Sequence, residues 1–187
     1  MIRMPIFALL GLVVFAVVPA GAQNIDKGRE AAFRGDYATA LAELRPLAEQ
    51  GIADAQYDLA NLYRDGRGVP RDNEQAAVWY QRAAASGSWS AAFDLGMLYW
   101  GQILATEAKE GRPSEAPNDA LIRVHMWLGI AAATENVDCV EIGAPLRDAA
   151  AQFMTVEQIA SSRLLTGAWL AEHRTSDTNV AAAKSGC

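Results

Sequence analysis

The chain has 187 residues, of which 51% are hydrophobic, and a formal net charge of −6 at pH 7. This acidity argues against nucleic-acid binding, because phosphate groups repel an acidic surface. The sequence also lacks a basic amphipathic stretch of the kind that binds anionic membrane surfaces.

Residues 1–22 have the features of a secretory signal peptide. Arg3 gives a basic start, an apolar run extends from Ile6 to Val18, and residues 20–22 form the small-residue site Ala-Gly-Ala. The run is shorter than the roughly 20 apolar residues of a transmembrane helix, although an uncleaved anchor is the alternative. The sequence therefore predicts cleavage after Ala22, a periplasmic or secreted location, and no membrane association after cleavage.

Four antiparallel helix pairs are predicted over the rest of the chain. Helical periodicity and the breaker residues between periodic stretches define their bounds. The predicted helices are residues 25–34 and 38–50, 53–64 and 73–86, 89–104 and 118–133, and 138–152 and 156–173. Residues 175–187 are polar and rich in alanine, and are predicted to form a flexible tail.

The second predicted pair defines a unit that recurs 36 residues later. Tyr57-Asp58-Leu59 and Leu62-Tyr63 reappear as Phe93-Asp94-Leu95 and Leu98-Tyr99. A fixed period of this size is typical of helical arrays, whose surfaces usually bind other molecules. Side chains on the inner helix faces are predicted to form the repeat core: Leu59, Leu62, Tyr63, Trp79, Tyr80, Leu95, Leu98, Tyr99 and Trp127.

These residues resemble the Sel-one-like repeat (SLR), a relative of the tetratricopeptide repeat. The match is complete over residues 53–87, including the loop Gly66-x-Gly68-Val69, and the weaker resemblance covers roughly residues 26–173. The resemblance implies an all-α fold, a short right-handed solenoid of antiparallel helix pairs, over residues 23–174. One departure is an insertion at about residues 101–118, between the helices of the third pair.

The resemblance also suggests a binding surface, since the first helix of each pair lines the concave face of tetratricopeptide-type arrays. The residues predicted for this face are Tyr57, Asn61 and Arg64 from the second pair and Phe93, Met97 and Trp100 from the third. An apolar patch of this kind either binds a ligand or is covered. The insertion would supply the cover, as a fixed element or as a movable lid, so both interpretations stand.

The fourth predicted pair departs furthest from the repeat and is expected to cap the array with a polar outer surface. Its second helix begins at a capping box, residues 155–158. An apolar stripe that includes Leu164, Leu165 and Trp169 is predicted to face the core.

Two cysteines are present, Cys139 and Cys187. In an oxidising compartment a pair of cysteines usually forms a disulfide. An intramolecular bond is therefore predicted, which would tie the tail to the start of the fourth pair. An intermolecular bond and two free thiols are the alternatives.

No catalytic residue, metal or cofactor is predicted. Residues 66–68 follow a helix rather than a strand, and no Gly-Lys-Ser/Thr follows them as in a phosphate loop. The two histidines, His125 and His173, have no carboxylate or cysteine at ligand spacing, and a Ser/His/Asp triad would have to be assembled from distant segments. The Ser-x-x-Lys pattern of β-lactam-hydrolysing enzymes, an activity associated with some secreted SLR proteins, is also missing.

The sequence therefore predicts an exported adaptor or regulator that binds a protein or peptide partner and carries out no catalysis. The SLR resemblance implies the adaptor role. Binding of peptides or cell-wall fragments at the same surface is the first alternative, and hydrolysis of β-lactam-like substrates is a more distant one.

Overall fold

The structure is a computed structural model that describes residues 20–110, 118–133 and 137–173. Over these ranges the chain forms eight helices: α1 (Ala20–Phe33), α2 (Tyr37–Glu49), α3 (Ala53–Asp65), α4 (Asn73–Ala85), α5 (Trp89–Glu110), α6 (Asn118–Ala132), α7 (Val137–Ala151) and α8 (Val156–His173). The predicted all-α helical repeat fold is confirmed. Most of the predicted signal peptide and the predicted tail lie outside the described residues.

Helices α1 to α6 form the regular part of the array. Each packs against the helix that follows it in sequence, and one core of buried leucines, alanines and aromatic residues extends from α1 to α6. Seven of the predicted core residues are buried there: Leu59, Leu62, Trp79, Tyr80, Leu95, Leu98 and Trp127. Tyr63 and Tyr99 are partly buried against the same core.

The loop between α3 and α4 depends on its two glycines. Gly66 ends α3 in the left-handed conformation, with φ of +69°, which glycine adopts without steric cost. Gly68 has φ of +74°, and a Cβ atom at this position would lie 2.6 Å from Cβ of Tyr37 on α2. The loop can therefore pack against α2 only if residue 68 has no side chain.

Helix α5 is longer than the sequence pattern indicated. It continues to Glu110 instead of ending near residue 104. Because a helix rises about 1.5 Å per residue, residues 101–110 lead away from Met97 and do not fold back over it. Residues 111–117, the rest of the predicted insertion, lie outside the described residues. No helix in the described ranges is both long and apolar enough to span a membrane.

The C-terminal end differs from the predicted fourth pair. Helices α7 and α8 each pack on α6, with few contacts to one another. Ser162 is buried and Thr166 is partly buried on the side of α8 that faces α6. Leu164 and Leu165 are 75% and 49% exposed. The prediction that these leucines face the core beneath a polar cap is therefore wrong, since Leu164 lies about 200° around the helix from Ser162.

Candidate partner-binding site

The structure separates the six residues predicted for the concave face into two groups. Tyr57 and Asn61 on α3 contact Tyr80 of α4, and Arg64 and Met97 line a groove with Asn73 and Glu74 at the start of α4. Phe93 and Trp100 instead pack against Val124, Leu128 and Ala150 of α6 and α7. The predicted surface is therefore smaller than the repeat pattern indicated.

Trp100 is covered from the C-terminal end of the molecule. Its ring lies edge-on to that of Phe153, in the turn between α7 and α8, with the centroids 6.3 Å apart. Leu146 of α7 and Ile103, from the start of the predicted insertion, join the same cluster. The cover expected for this aromatic side chain therefore exists, but α7 and the following turn supply most of it.

A hydrogen-bond network fixes the polar residues of the first group. The Tyr80 hydroxyl donates to Oδ1 of Asn61 at 2.6 Å and accepts from the Arg64 guanidinium at 2.9 Å. The Tyr57 hydroxyl donates to Oδ2 of Asp94 at 2.7 Å, and Nη1 of Arg64 lies 3.6 Å from the same oxygen. These five side chains satisfy one another and join α3, α4 and α5 into a frame.

Burial controls the protonation of this network. It raises the pKa of the Asp94 carboxyl, against the opposing effects of the Tyr57 hydrogen bond and the Arg64 charge. It also raises the pKa of the Tyr57 and Tyr80 hydroxyls, and the charge of Asp94 adds to both shifts. Burial alone would lower the pKa of Arg64, but its partners, Asp65 foremost, raise it above the ordinary value. At neutral pH the two tyrosines are therefore donors and Arg64 is a cation.

A groove of about 680 Å³ lies beside this network, between α5 and the loop that joins α3 to α4. Its lining comes from two walls: Asp94, Met97, Leu98, Gly101, Gln102, Ala105 and Thr106 on one side, and Arg64, Arg71, Asn73 and Glu74 on the other. Met97 is 37% exposed and provides apolar surface. We call this site the α5 groove; the helical continuation of α5 past residue 104 forms part of its wall.

Sequence reasoning missed Asp94, Arg71 and Gln102 as site residues. For Asp94 a signal was present in the repeat, because Asp58 occupies the equivalent position one unit earlier. Asp58 accepts a hydrogen bond from Nε of Arg29 on α1 at 2.6 Å, just as Asp94 accepts one from α3. In the second and third pairs, the repeated aspartate therefore connects the first helix to the first helix of the pair before it.

A second concavity, of about 540 Å³, lies among α4, α5, α6 and α8. Its lining residues are Val78, Gln81, Arg82, Ala85, Tyr99, Arg123, Met126, Trp127, Trp169 and His173. We call it the aromatic cleft. No sequence motif indicated it, because its residues come from helices that are far apart in the chain.

His125 and Ser162 form a buried imidazole–hydroxyl pair. Nδ1 of His125 lies 2.6 Å from Oγ of Ser162, and the two residues are 4% and 0% exposed. Burial lowers the pKa of His125, and the charges of Arg147 and Arg163 lower it further, so the imidazole is neutral at pH 7. A substrate cannot reach a serine that is fully buried. The pair instead joins α8 to α6.

The predicted disulfide lies outside the described part of the chain. Cys187 follows the last described residue, and the side chain of Cys139 is also outside the description, so the bond stays a prediction. Within the described residues, no three His, Cys, Asp or Glu side chains are grouped as they would be around a metal ion.

The family model of the Sel1 repeat matches residues 53–88, the unit with the clearest repeat pattern. Among solved structures, the chain is similar to c5321, a protective antigen of uropathogenic Escherichia coli strains that displays an SLR fold. The two share 21% identity and a TM-score of 0.66 over 90% of this chain and 34% of that protein. The chain thus spans about a third of the length of c5321, and the likeness shows a common fold.

A Sel1 repeat protein from Oxalobacter formigenes is also similar, at 27% identity and a TM-score of 0.49. That comparison covers 69% of this chain and 89% of the other. No curated protein matches the chain in sequence.

Proposed function

We propose that this chain, whose residues 53–88 match the Sel1 repeat model, is an exported adaptor that binds a protein or peptide partner in the α5 groove. Sel1 repeats generally mediate protein–protein interactions, and the family is typically non-catalytic. The observation that carries the proposal is the α5 groove itself, where exposed apolar surface lies inside a rigid polar frame.

The two walls of the α5 groove offer different interactions to a ligand. Met97, Leu98 and Ala105 provide apolar area on α5. Across the groove, Arg71 and Glu74 form no salt bridge with any described residue, so both charges are available to orient a partner. Apolar area for affinity, combined with a few polar groups for orientation, is the usual composition of a peptide site.

The chemistry of the α5 groove supports binding rather than hydrolysis. Its one hydroxyl side chain, Thr106, bonds to the carbonyl oxygen of Gln102 at 3.0 Å and has no base beside it in the groove. Asp94 is already paired with Tyr57 and Arg64. General-base activation needs a nucleophile within hydrogen-bond reach of a base, and the lining residues do not provide that pair.

The α5 groove is tested by Met97→Lys, which places a charge on its apolar wall. Leu104→Lys is the matched control, because Leu104 is on the same helix, is 51% exposed and does not line the groove. Each purified variant is used to capture partners from envelope extract, with circular dichroism as a check on folding. We expect Met97→Lys to lose the partner that wild type and Leu104→Lys retain. Equal capture by both variants would place the partner elsewhere.

The export part of the proposal is supported by the basic start, the apolar run and the small residues that end at Ala22. The intact mass of protein recovered from the periplasmic fraction tests it. We expect a chain that begins at Gln23. A mass that still includes residues 1–22 would contradict cleavage.

The hydrolase alternative has a separate test. Nitrocefin is mixed with the purified mature protein, and turnover is expected to equal that of buffer. Turnover that follows the protein through purification would favour the enzyme and remove the claim that the adaptor has no catalysis of its own.

A further inference from the structure

The aromatic cleft differs from the α5 groove in its charge. Its lining contains Arg82 and Arg123 but no carboxylate, although the whole chain carries a net charge of −6. Neither guanidinium forms a salt bridge with a described residue. Each lies over an aromatic ring, with Cζ of Arg82 4.6 Å from the ring centroid of Trp79 and that of Arg123 5.8 Å from that of Tyr99.

The base of the aromatic cleft consists of aromatic rings packed against one another. The rings of Trp127 and Trp169 meet edge to face, with centroids 5.7 Å apart, and join α6 to α8. The ring of His173 stacks on Trp169 at 4.2 Å. Trp127 is itself part of the buried core. A ligand would therefore meet preformed aromatic surface, which lowers the entropic cost of binding.

We propose that the aromatic cleft binds an acidic peptide segment of a partner protein. Carboxylates of the peptide pair with Arg82 and Arg123, and an apolar side chain between them packs against Trp169 and Trp127. A guanidinium binds carboxylates through two parallel hydrogen bonds, and arginine and tryptophan dominate protein interfaces energetically. A volume of about 540 Å³ accommodates a short peptide segment.

This site is separate from the one that the adaptor role requires. The aromatic cleft shares no lining residue with the α5 groove. An adaptor with both surfaces would hold two partners at once. The proposal therefore goes beyond binding at the α5 groove, and either can fail while the other stands.

The chain's own tail is the nearest alternative occupant, since it follows His173. Residues 174–187 include one acidic side chain, Asp177, and two basic ones, Arg174 and Lys184. These side chains carry a net positive charge, which the two guanidiniums would repel. Charge complementarity therefore favours an acidic segment from another protein.

The test uses the tryptophans of the aromatic cleft as reporters. The full-length protein is titrated with a blocked pentapeptide of four glutamates around one phenylalanine, and fluorescence is recorded. A matched peptide has glutamines in place of the glutamates. We expect saturable binding of the acidic peptide, roughly tenfold weaker binding of the neutral one, and a loss of affinity as salt is raised. No saturable binding, or equal affinity for both peptides, would overturn the proposal.

Variants then locate the site. Arg82→Gln with Arg123→Gln removes both guanidiniums and should weaken binding roughly tenfold or more. Arg34→Gln with Arg67→Gln is the control, because it changes net charge equally and neither residue lines the aromatic cleft or the α5 groove. Its affinity should stay within about twofold of wild type. Equal weakening by the two double variants would mean that net charge alone attracts the peptide, and would overturn the proposal.

Two further variants distinguish the remaining outcomes. Met97→Glu places a negative charge in the α5 groove and would weaken an acidic peptide bound there. Loss of binding in this variant, with binding retained in the cleft variant, would place the peptide in the α5 groove and overturn the cleft proposal. Asp177→Asn should have no effect. A gain in affinity would identify the tail as the occupant of the aromatic cleft.

Discussion

The α5 groove and the aromatic cleft use arginine in different ways. In the α5 groove, the Arg64 guanidinium bonds to Tyr80 and Asp65 and lies near Asp94, so its charge is largely neutralised within the fold. In the aromatic cleft, Arg82 and Arg123 lie over aromatic rings and form no salt bridge with a described residue. An arginine on a surface therefore indicates a binding site only when the fold has not already supplied its counter-charge.

The arginines of the two sites should therefore have different roles in stability and in binding. Arg64 and Asn61 were predicted to lie on the partner-binding face, but their polar atoms already bond to Tyr80. Their substitution should therefore lower stability more directly than it lowers affinity. Substitution of Arg82 and Arg123 should lower affinity more than stability, because no described carboxylate would lose its partner.

The largest expected effect comes from the two adjacent aromatic residues of α4 that support the two sites. Tyr80 is fully buried behind the α5 groove, and Trp79 is buried beneath Arg82. Tyr80→Ala and Trp79→Ala should each lower the free energy of unfolding by about 3–5 kcal/mol through cavity formation. Arg82→Ala, on the same helix, should cost no more than about 1 kcal/mol. Urea denaturation measures all three, and a Trp79→Ala midpoint equal to wild type would show that Trp79 is not part of the core.

A smaller effect is expected when the network beside the α5 groove loses its acceptor. Asp94→Ala leaves the Tyr57 hydroxyl and Arg64 without the carboxylate that they share, at a cost of about 1–3 kcal/mol. Asp54→Ala is the matched control, because the side chain of Asp54 is 44% exposed and its nearest approach to Arg29 is 3.5 Å; it should cost less than about 1 kcal/mol. Equal midpoints for the two variants in urea would mean that the network is not a structural frame.

Acid should weaken the helix that closes the aromatic cleft. The pKa of His125 is lowered in the folded state, so its contribution to stability is present above its unfolded pKa and is lost as pH falls below that value. The charged groups around it are Arg147 and Asp148 of α7 and Arg163 of α8. Unfolding free energies measured between pH 7.5 and pH 5 should fall more steeply for wild type than for His125→Asn. A His125→Asn slope equal to wild type would contradict this account.

The smallest effect should have the opposite pH dependence and come from the α5 groove. The pKa of Asp94 is raised in the folded state, so its contribution to stability is present at low pH and is lost as pH rises through the folded pKa. Asp94→Asn cannot ionise. Its stability deficit relative to wild type should therefore be larger at pH 4 than at pH 7. Urea titrations at the two pH values measure the deficit. A deficit that grows with pH would contradict a raised pKa for Asp94.

The sequence predicted the parts of the molecule in which local pattern and tertiary contact agree. Helices α3 and α4 were predicted within one residue at each end, because glycine and aspartate signals mark their ends and the buried residues are the apolar ones. The C-terminal end of the array was predicted less accurately. In α8 the helix face toward α6 carries Ser162 and Thr166 while Leu164 is exposed, so hydrophobicity pointed to the wrong side.

The candidate site was predicted only in part, because some of its contacts join segments that are far apart in the sequence. The structure brings Arg64 and Met97, both predicted for one face from the repeat spacing and the likeness to tetratricopeptide-type arrays, into the same groove. Trp100 was not, since Phe153, which packs against it, is far away in sequence and belongs to no repeat. The aromatic cleft depends on the contact between Trp127 of α6 and Trp169 of α8. No local sequence pattern indicates that contact.

The packing of each helix on its sequence neighbour also has a consequence for the order of events during folding. From α1 to α6, every helix packs mainly on a sequence neighbour, so these contacts are local and can form early in folding. Helix α8 is different, because it must pass over α7 and dock on α6 through the His125–Ser162 pair and the Trp127–Trp169 contact. The aromatic cleft should therefore be the last feature of the molecule to form and the first to open.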